Sequence, residues 1–289
     1  MEKSRLIREA VECGSITALA ISADHSTIAG GYSQGNIFTW ELAKPARPFL
    51  SIPPVASSVL EARKVDGHVE GVSVLHLGFL GTRHTALVSA DGKGMAFSHL
   101  ATRGLGALGR NVKTARLLGR YPFDIPLSGR PRKPSSVLAF APLPLGNSVQ
   151  ATDSMGLVAM LTPHLLVIVS TTPVAQTQHK ASRPKEVASN KALSGSLAWF
   201  PAVRLKDSHS EPGLQRSSRA KLAYSWSNVL TVLELSVVEP DSSEDPNRPP
   251  TLQFRAKSRW ECDEAIVAVQ WISRQVNFNM IIDFCLADF

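Results

Sequence analysis

Short apolar runs separated by turns rich in glycine, aspartate and serine recur along most of this chain, and long helical periodicity is scarce. The clearest stretch is His76-Leu-Gly-Phe-Leu-Gly-Thr-Arg-His84, continuing as Thr85-Ala-Leu-Val-Ser-Ala-Asp-Gly-Lys-Gly-Met-Ala-Phe97. It predicts a strand, a turn, a second strand ending at Ser89, and a tight turn over Asp91-Gly92-Lys93-Gly94 into a third. The same order occurs upstream. Ile16–Ile21 runs past Asp24 to Ile28-Ala-Gly-Gly-Tyr-Ser-Gln-Gly35 and then Ile37-Phe-Thr-Trp40.

Three such units overlay by their turn glycines, Gly35, Gly94 and Gly156, with an aspartate three residues earlier in two of them, Asp91 and Asp153. Glycine accepts backbone angles that side chains resist, and aspartate hydrogen-bonds its own turn. The following strands are Ile37–Trp40, Met95–Phe97 and Leu157–Leu161. A fourth unit comprises Gly195–Phe200 and Lys221–Trp226, then a turn at Ser227-Asn228 into Val229–Leu235. Trp260 and Ile266–Ile272 open a fifth. A repeat of about 60 residues exceeds the usual WD-type blade, so the loops are enlarged.

The expected fold is all-β: an incomplete WD-repeat-like β-propeller of about four to five blades with long polar inter-blade loops. Its expected bounds are residues 14–275, after an amino-terminal segment 1–13 and before an atypical tail 276–289 that aligns with no blade. An unclosed ring leaves unpaired edges, so the chain reads as part of something longer. Pro45 to Val65 reads as a crossing between blades, and Thr171 to Leu193 and Lys206 to Arg219 as polar loops. Glu239 to Pro250 reads as an acidic, proline-rich connector.

With 289 residues and 44% hydrophobic content, the chain carries enough apolar side chain for a packed core. A net charge of +7 fits an acidic partner or an anionic membrane surface. Cys13, Cys262 and Cys285 form no CxxC pair, which argues against a disulfide framework or a zinc site and for a reducing compartment. The charged amino terminus does not read as a secretory signal, and no apolar run is long enough to span a bilayer.

Candidate chemistry is sparse. Gly104, Gly106 and Gly109 form a literal GxGxxG, with Met95–Leu100 as a strand before it and Asn111–Leu118 as two helical turns after it. The parallel second strand and its acidic residue are missing, so a dinucleotide site is not supported. His68 occupies the Gly-His position that opens many WD-type blades and reads as structural, as do His76 and His84. There is no nucleophile elbow and no activated cysteine. No cofactor, metal or catalytic residue is expected.

The segment from Ala101 to Pro134 holds eight basic residues against one acidic, Asp124. Arg110, Lys113, Arg116 and Arg120 are the candidate contacts for an acidic protein face or anionic lipid, each charge worth about 1 kcal/mol near such a membrane. Asn111–Leu118 also reads as a short amphipathic helical turn; the alternative is a solvated loop. Nucleic acid is not expected, since only Tyr121 and Phe123 are available for stacking. Trp40, Trp199, Trp226 and Trp271 fall in strand-like runs and read as rings packed between blades.

The segments Gly30–Trp40, Gly78-Phe-Leu-Gly-Thr-Arg-His-Thr-Ala-Leu-Val-Ser-Ala-Asp91 and Leu222–Leu230 resemble the amino-terminal propeller of the vacuolar protein sorting-associated protein 8 family, of fungal type. The likeness runs from about residue 14 to 275. It implies a non-enzymatic subunit of the CORVET endosomal tethering complex, cytoplasmic and peripheral on endosome or vacuole membrane, acting in endosome-to-vacuole transport. The implied partners are a GTP-bound endosomal Rab GTPase and other tethering subunits. The family's helical repeat and RING-type zinc module have no counterpart here. The alternative is a generic WD-repeat scaffold in another pathway.

Overall fold

The computed structural model describes residues 12–45, 47–63, 65–81, 85–103, 110–121, 136–144, 151–187, 193–200, 219–238, 251–273 and 278–284. They divide into two compact units, Met1–Val137 and Leu138–Phe289. Every strand ladder is antiparallel.

The first unit holds two four-stranded blades. Blade one is β1 (Ile16–Ile21), β2 (Thr27–Tyr32), β3 (Ile37–Glu41) and β4 (Leu50–Ile52), in that order across the sheet. Blade two is β5 (Val74–Phe79), β6 (Ala86–Asp91), β7 (Ala96–Arg103) and β8 (Arg110–Leu118). Between them lies the short helix α1 (Ser57–Arg63). The blades pack through Ala29, Ile37, Leu50 and Ile52 of blade one against Val74, Leu87 and Ala101 of blade two. A second cluster joins Leu60 of α1 to Met95, Phe97 and Tyr121. All six residues of β6, Ala-Leu-Val-Ser-Ala-Asp, are buried, which is why its pattern is nearly continuous rather than alternating.

The second unit repeats the scheme. Blade three is β9 (Ala139–Pro142), β10 (Leu157–Leu161), β11 (Leu165–Ser170) and β12 (Gln176–Ser182), with helix α2 (Ala151–Met155) before β10. Blade four is β13 (Gly195–Phe200), β14 (Lys221–Trp226), β15 (Val229–Val238) and β16 (Thr251–Glu261), and β17 (Ile266–Ser273) pairs with β18 (Phe278–Phe284). Indole N–H groups tie neighbouring sheets together. Trp226 donates to the Thr162 carbonyl at 2.8 Å, Trp199 to Ala141 at 3.0 Å and Trp271 to Ala198 at 2.9 Å. Each ring, buried at Trp199 and Trp226 and half-buried at Trp271, thus adds apolar area and satisfies its own polar edge.

Four four-stranded blades and a two-stranded sheet agree with the all-β, four-to-five-blade reading. Several local expectations do not hold. Asn111–Leu118 is strand rather than helix: Val112 and Thr114 are β-branched, and the segment pairs residue by residue with β7. Thr171 to Leu193 contains β12, whose polar side chains suit an outer strand while its backbone pairs with β11. Pro45 to Val65 contains β4 and α1. Trp260 belongs to β16, not to the fifth unit, and Phe278–Phe284 in the supposed tail pairs with β17.

Candidate functional site

Blade two is built around a buried line of polar side chains. His68 enters it from the loop ahead of β5, Ser89 and Asp91 from β6, His99 from β7 and Thr114 from β8. His68 Nδ1 donates to Asp91 Oδ2 at 2.9 Å, because a carboxylate can only accept there. His68 Nε2 lies 2.7 Å from Ser89 Oγ, Ser89 Oγ lies 2.8 Å from His99 Nε2, and His99 Nδ1 lies 3.0 Å from Thr114 Oγ1. One direction uses every hydrogen: Thr114 donates to His99, His99 to Ser89, Ser89 to His68, and His68 to Asp91. The other Asp91 oxygen accepts the Lys93 and Met95 backbone N–H groups at 2.9 and 3.0 Å, closing the turn that Gly94, at φ +78°, completes.

The Asp91–His68–Ser89 arrangement has the connectivity of a hydrolase triad. Ser89 has no exposed surface, and His68 and Asp91 have almost none, so the serine hydroxyl is out of a substrate's reach. The line orders the blade. Burial, reinforced by the nearby His68, pushes the His99 imidazole down to about 3, which keeps it uncharged as the network requires.

Tyr121 anchors the same blade edge. Its hydroxyl donates to the Gly67 carbonyl at 2.8 Å and accepts the Gly67 N–H at 3.0 Å, and burial raises it to about 12. The Arg116 guanidinium stands 5.0 Å over the Tyr121 ring and 3.6 Å from Asp66. Arg116 therefore belongs to the blade's own packing. β8 does not gather the four basic candidates into one patch. Lys113 pairs in register with Leu100 and Arg116 with Phe97, which puts them on opposite faces. Lys113 and Arg120 are exposed, Arg120 following Gly119 at φ +93°. Arg110 opens β8, and its side chain lies outside the described residues, as do Gly104–Gly109 and His84.

The repeat-turn residues fall in two different places. Gly35, at φ +94°, and Gly94 each join the second strand of a blade to the third. Gly156, at φ +59°, instead joins α2, which contains Asp153, to the second strand of blade three. The corresponding turn of blade three is Thr162-Pro163-His164, where Thr162 Oγ1 accepts the Leu165 N–H at 2.9 Å.

The face of blade one turned away from blade two carries exposed apolar side chains. Registers Ile21↔Ile28, Leu19↔Gly30, Ile28↔Trp40 and Gly30↔Phe38 place these residues on one side, opposite buried Ala29, Ile37 and Thr39. Ile16, Leu19 and Ile21 are 54, 66 and 60% exposed. Tyr32, Phe38 and Trp40 are half-buried and touch in series, Tyr32 edge-on to Phe38 and Phe38 tilted on Trp40, with centroids 5.4 and 5.9 Å apart. The Trp40 ring lies over Gly30, where a Cβ would stand 3.3 Å from it. Trp40 is thus not wedged between blades one and two. The apolar pattern on both sides of β2 and β3 was the sequence signal for this face; it did not say which side was covered. An exposed apolar surface of this kind is a candidate interaction site.

The model of the Vps8 beta-propeller family matches residues 3–280. The chain belongs to the Vps8 beta-propeller family. The blades described above are the family's propeller fold. No curated protein matches the sequence. Among solved structures it is similar to the beta-propeller domain of Cps50 (Swd1) from Myceliophteria thermophila, at 11% identity and a TM-score of 0.46, covering 89% of this chain and 61% of that one. U3-55K gives 13% identity and 0.44, covering 88% and 54%. Raptor from Chaetomium thermophilum gives 11% and 0.45, covering 89% and 18%. The chain spans 61% or less of the length of these matched chains. Among the described residues, no helix is long and apolar enough to cross a membrane, and no His, Cys, Asp and Glu side chains cluster as metal ligands.

Proposed function

We propose that this chain is the propeller of a CORVET-type endosomal tethering subunit, non-enzymatic, cytoplasmic and peripheral on endosome or vacuole membrane. In this reading it serves endosome-to-vacuole transport by docking a GTP-bound endosomal Rab GTPase beside other tethering subunits. The family match over residues 3–280 carries the tethering role. The exposed face of blade one supports a docking role, since Leu19, Ile21 and Trp40 supply the aliphatic and aromatic anchors that protein interfaces bury. Lys113 and Arg120, exposed at the rim of blade two, add positive charge toward an anionic membrane.

The test is capture of an early-endosomal Rab loaded with GTP or with GDP. Retention of the GTP form alone supports the reading, and equal retention of both, or of neither, counts against it. Flotation with phosphatidylserine vesicles, repeated with Lys113→Glu and Arg120→Glu, tests the membrane contact; unchanged flotation would dismiss those residues.

A further inference from the structure

The outer edge of blade four combines an open strand ladder with a row of cations. β16 ends the sheet order β13-β14-β15-β16, and no strand among the described residues pairs with its far side. Every residue from Arg255 to Glu261 is exposed. Arg255, Lys257 and Arg259 alternate with Ala256 and Ser258, and no acidic residue interrupts Thr251 to Trp260.

The cations along this edge outnumber their carboxylates. Arg219 and Lys257 share one oxygen of Glu234, at 2.9 and 3.2 Å, and Arg259 holds Glu186 at 2.8 Å. Arg255, paired in register with Glu234, makes no hydrogen bond or ion pair among the described residues. With Glu261 at the end of β16, four cations stand against three carboxylates, which leaves a net positive edge that already binds the carboxylate group in two places.

From this arrangement we infer that β16 receives an extended acidic segment of a partner protein, added to blade four as a further antiparallel or parallel strand. Main-chain N–H and C=O groups of β16 supply the ladder, Arg255 and Lys257 on the face of Glu234 select Asp or Glu at alternating positions, and Arg259, beyond the bulge at Lys257, adds charge on the opposite face. The same row disfavours a second copy of this chain, because like charges would meet across the new pairing. A lipid surface would meet the charges without pairing the exposed backbone. The inference is independent of the Rab reading and stands or fails apart from it.

The probe is a fluorescein-labelled peptide alternating glutamate and valine, titrated into the intact chain by fluorescence anisotropy at low and high salt. Saturable, salt-sensitive binding that weakens about tenfold or more in Arg255→Glu is expected. Arg255 is exposed and unpaired, so the variant should melt with the parent protein; Arg255→Lys should retain most of the binding. Amide hydrogen exchange with bound peptide should slow within 251–261. Absence of binding, binding indifferent to Arg255→Glu, or binding without protection of β16 overturns the inference. Phosphatidylserine vesicles bound through Arg255 while the peptide is ignored would assign the edge to lipid and overturn it equally.

Discussion

His68 and Asp91, 23 positions apart in sequence, meet through a 2.9 Å hydrogen bond with both side chains buried, and this contact fixes the loop before β5 onto the β6–β7 turn. Asp91 simultaneously caps two backbone N–H groups of that turn. Replacing it by alanine strands three donors, the imidazole and the Lys93 and Met95 amides. Asp91→Ala should therefore cost about 3 kcal/mol or more, read as a lower urea midpoint at unchanged slope. A loss well under 1 kcal/mol would mean that water replaces the carboxylate.

The pH dependence follows from His99. Its folded value of about 3 lies below the ordinary 6.5, so between those limits the unfolded chain binds a proton that the folded blade refuses. The contribution of this group to stability is complete above pH 6.5 and is lost as the pH drops toward 3, by roughly 4–5 kcal/mol at the acid end. His76 and His179, also lowered by burial, act in the same direction. Urea titrations between neutral and mildly acid pH should show this slope, and His99→Gln should flatten it by about one proton's worth.

Gly31 of blade one lies directly against Val74 of blade two. A Cβ there would lie 2.7 Å from Val74 Cγ1 and 2.9 Å from Val74 Cβ, both inside van der Waals contact. Gly31→Ala should destabilise by about 1–3 kcal/mol. Adding Val74→Ala should recover part of that loss, because the two substitutions share one space. Additive losses would show that the blades part rather than clash.

Leu19 is 66% exposed, so Leu19→Asp should change stability by no more than about 0.5 kcal/mol. If the face of blade one docks the Rab, the same substitution should weaken capture of the GTP form about tenfold or more. Denaturant titration and pull-down on one preparation separate the two effects.

The strands were legible because each blade alternates apolar runs with turn residues, and Asp91-Gly92-Lys93-Gly94 states its turn chemically. The turn of blade three was harder to see. Gly156 with an aspartate three positions earlier imitates Gly94, while the true turn, Thr162-Pro163-His164, uses a threonine hydroxyl and a proline in place of glycine. β8 read as helical because Val112 and Ala115 stand three apart, and only pairing with β7 settles the matter. Gly67-His68 hinted at the polar line, yet His99 could not be assigned to it, since its partners Ser89 and Thr114 arrive from other strands. The basic edge of blade four is not legible in the sequence because Arg219, ahead of β14, meets Glu234 of β15 and Lys257 of β16 only once the sheet has formed.

The docking role is tested most directly by amide hydrogen exchange of the intact chain, alone and with early-endosomal Rab in each nucleotide state. Protection confined to Ile16–Ile21 and Ile37–Glu41, seen with the GTP form and absent with the GDP form, is the predicted result. Unchanged exchange in both strands with the GTP form, or equal protection with GDP, would contradict it.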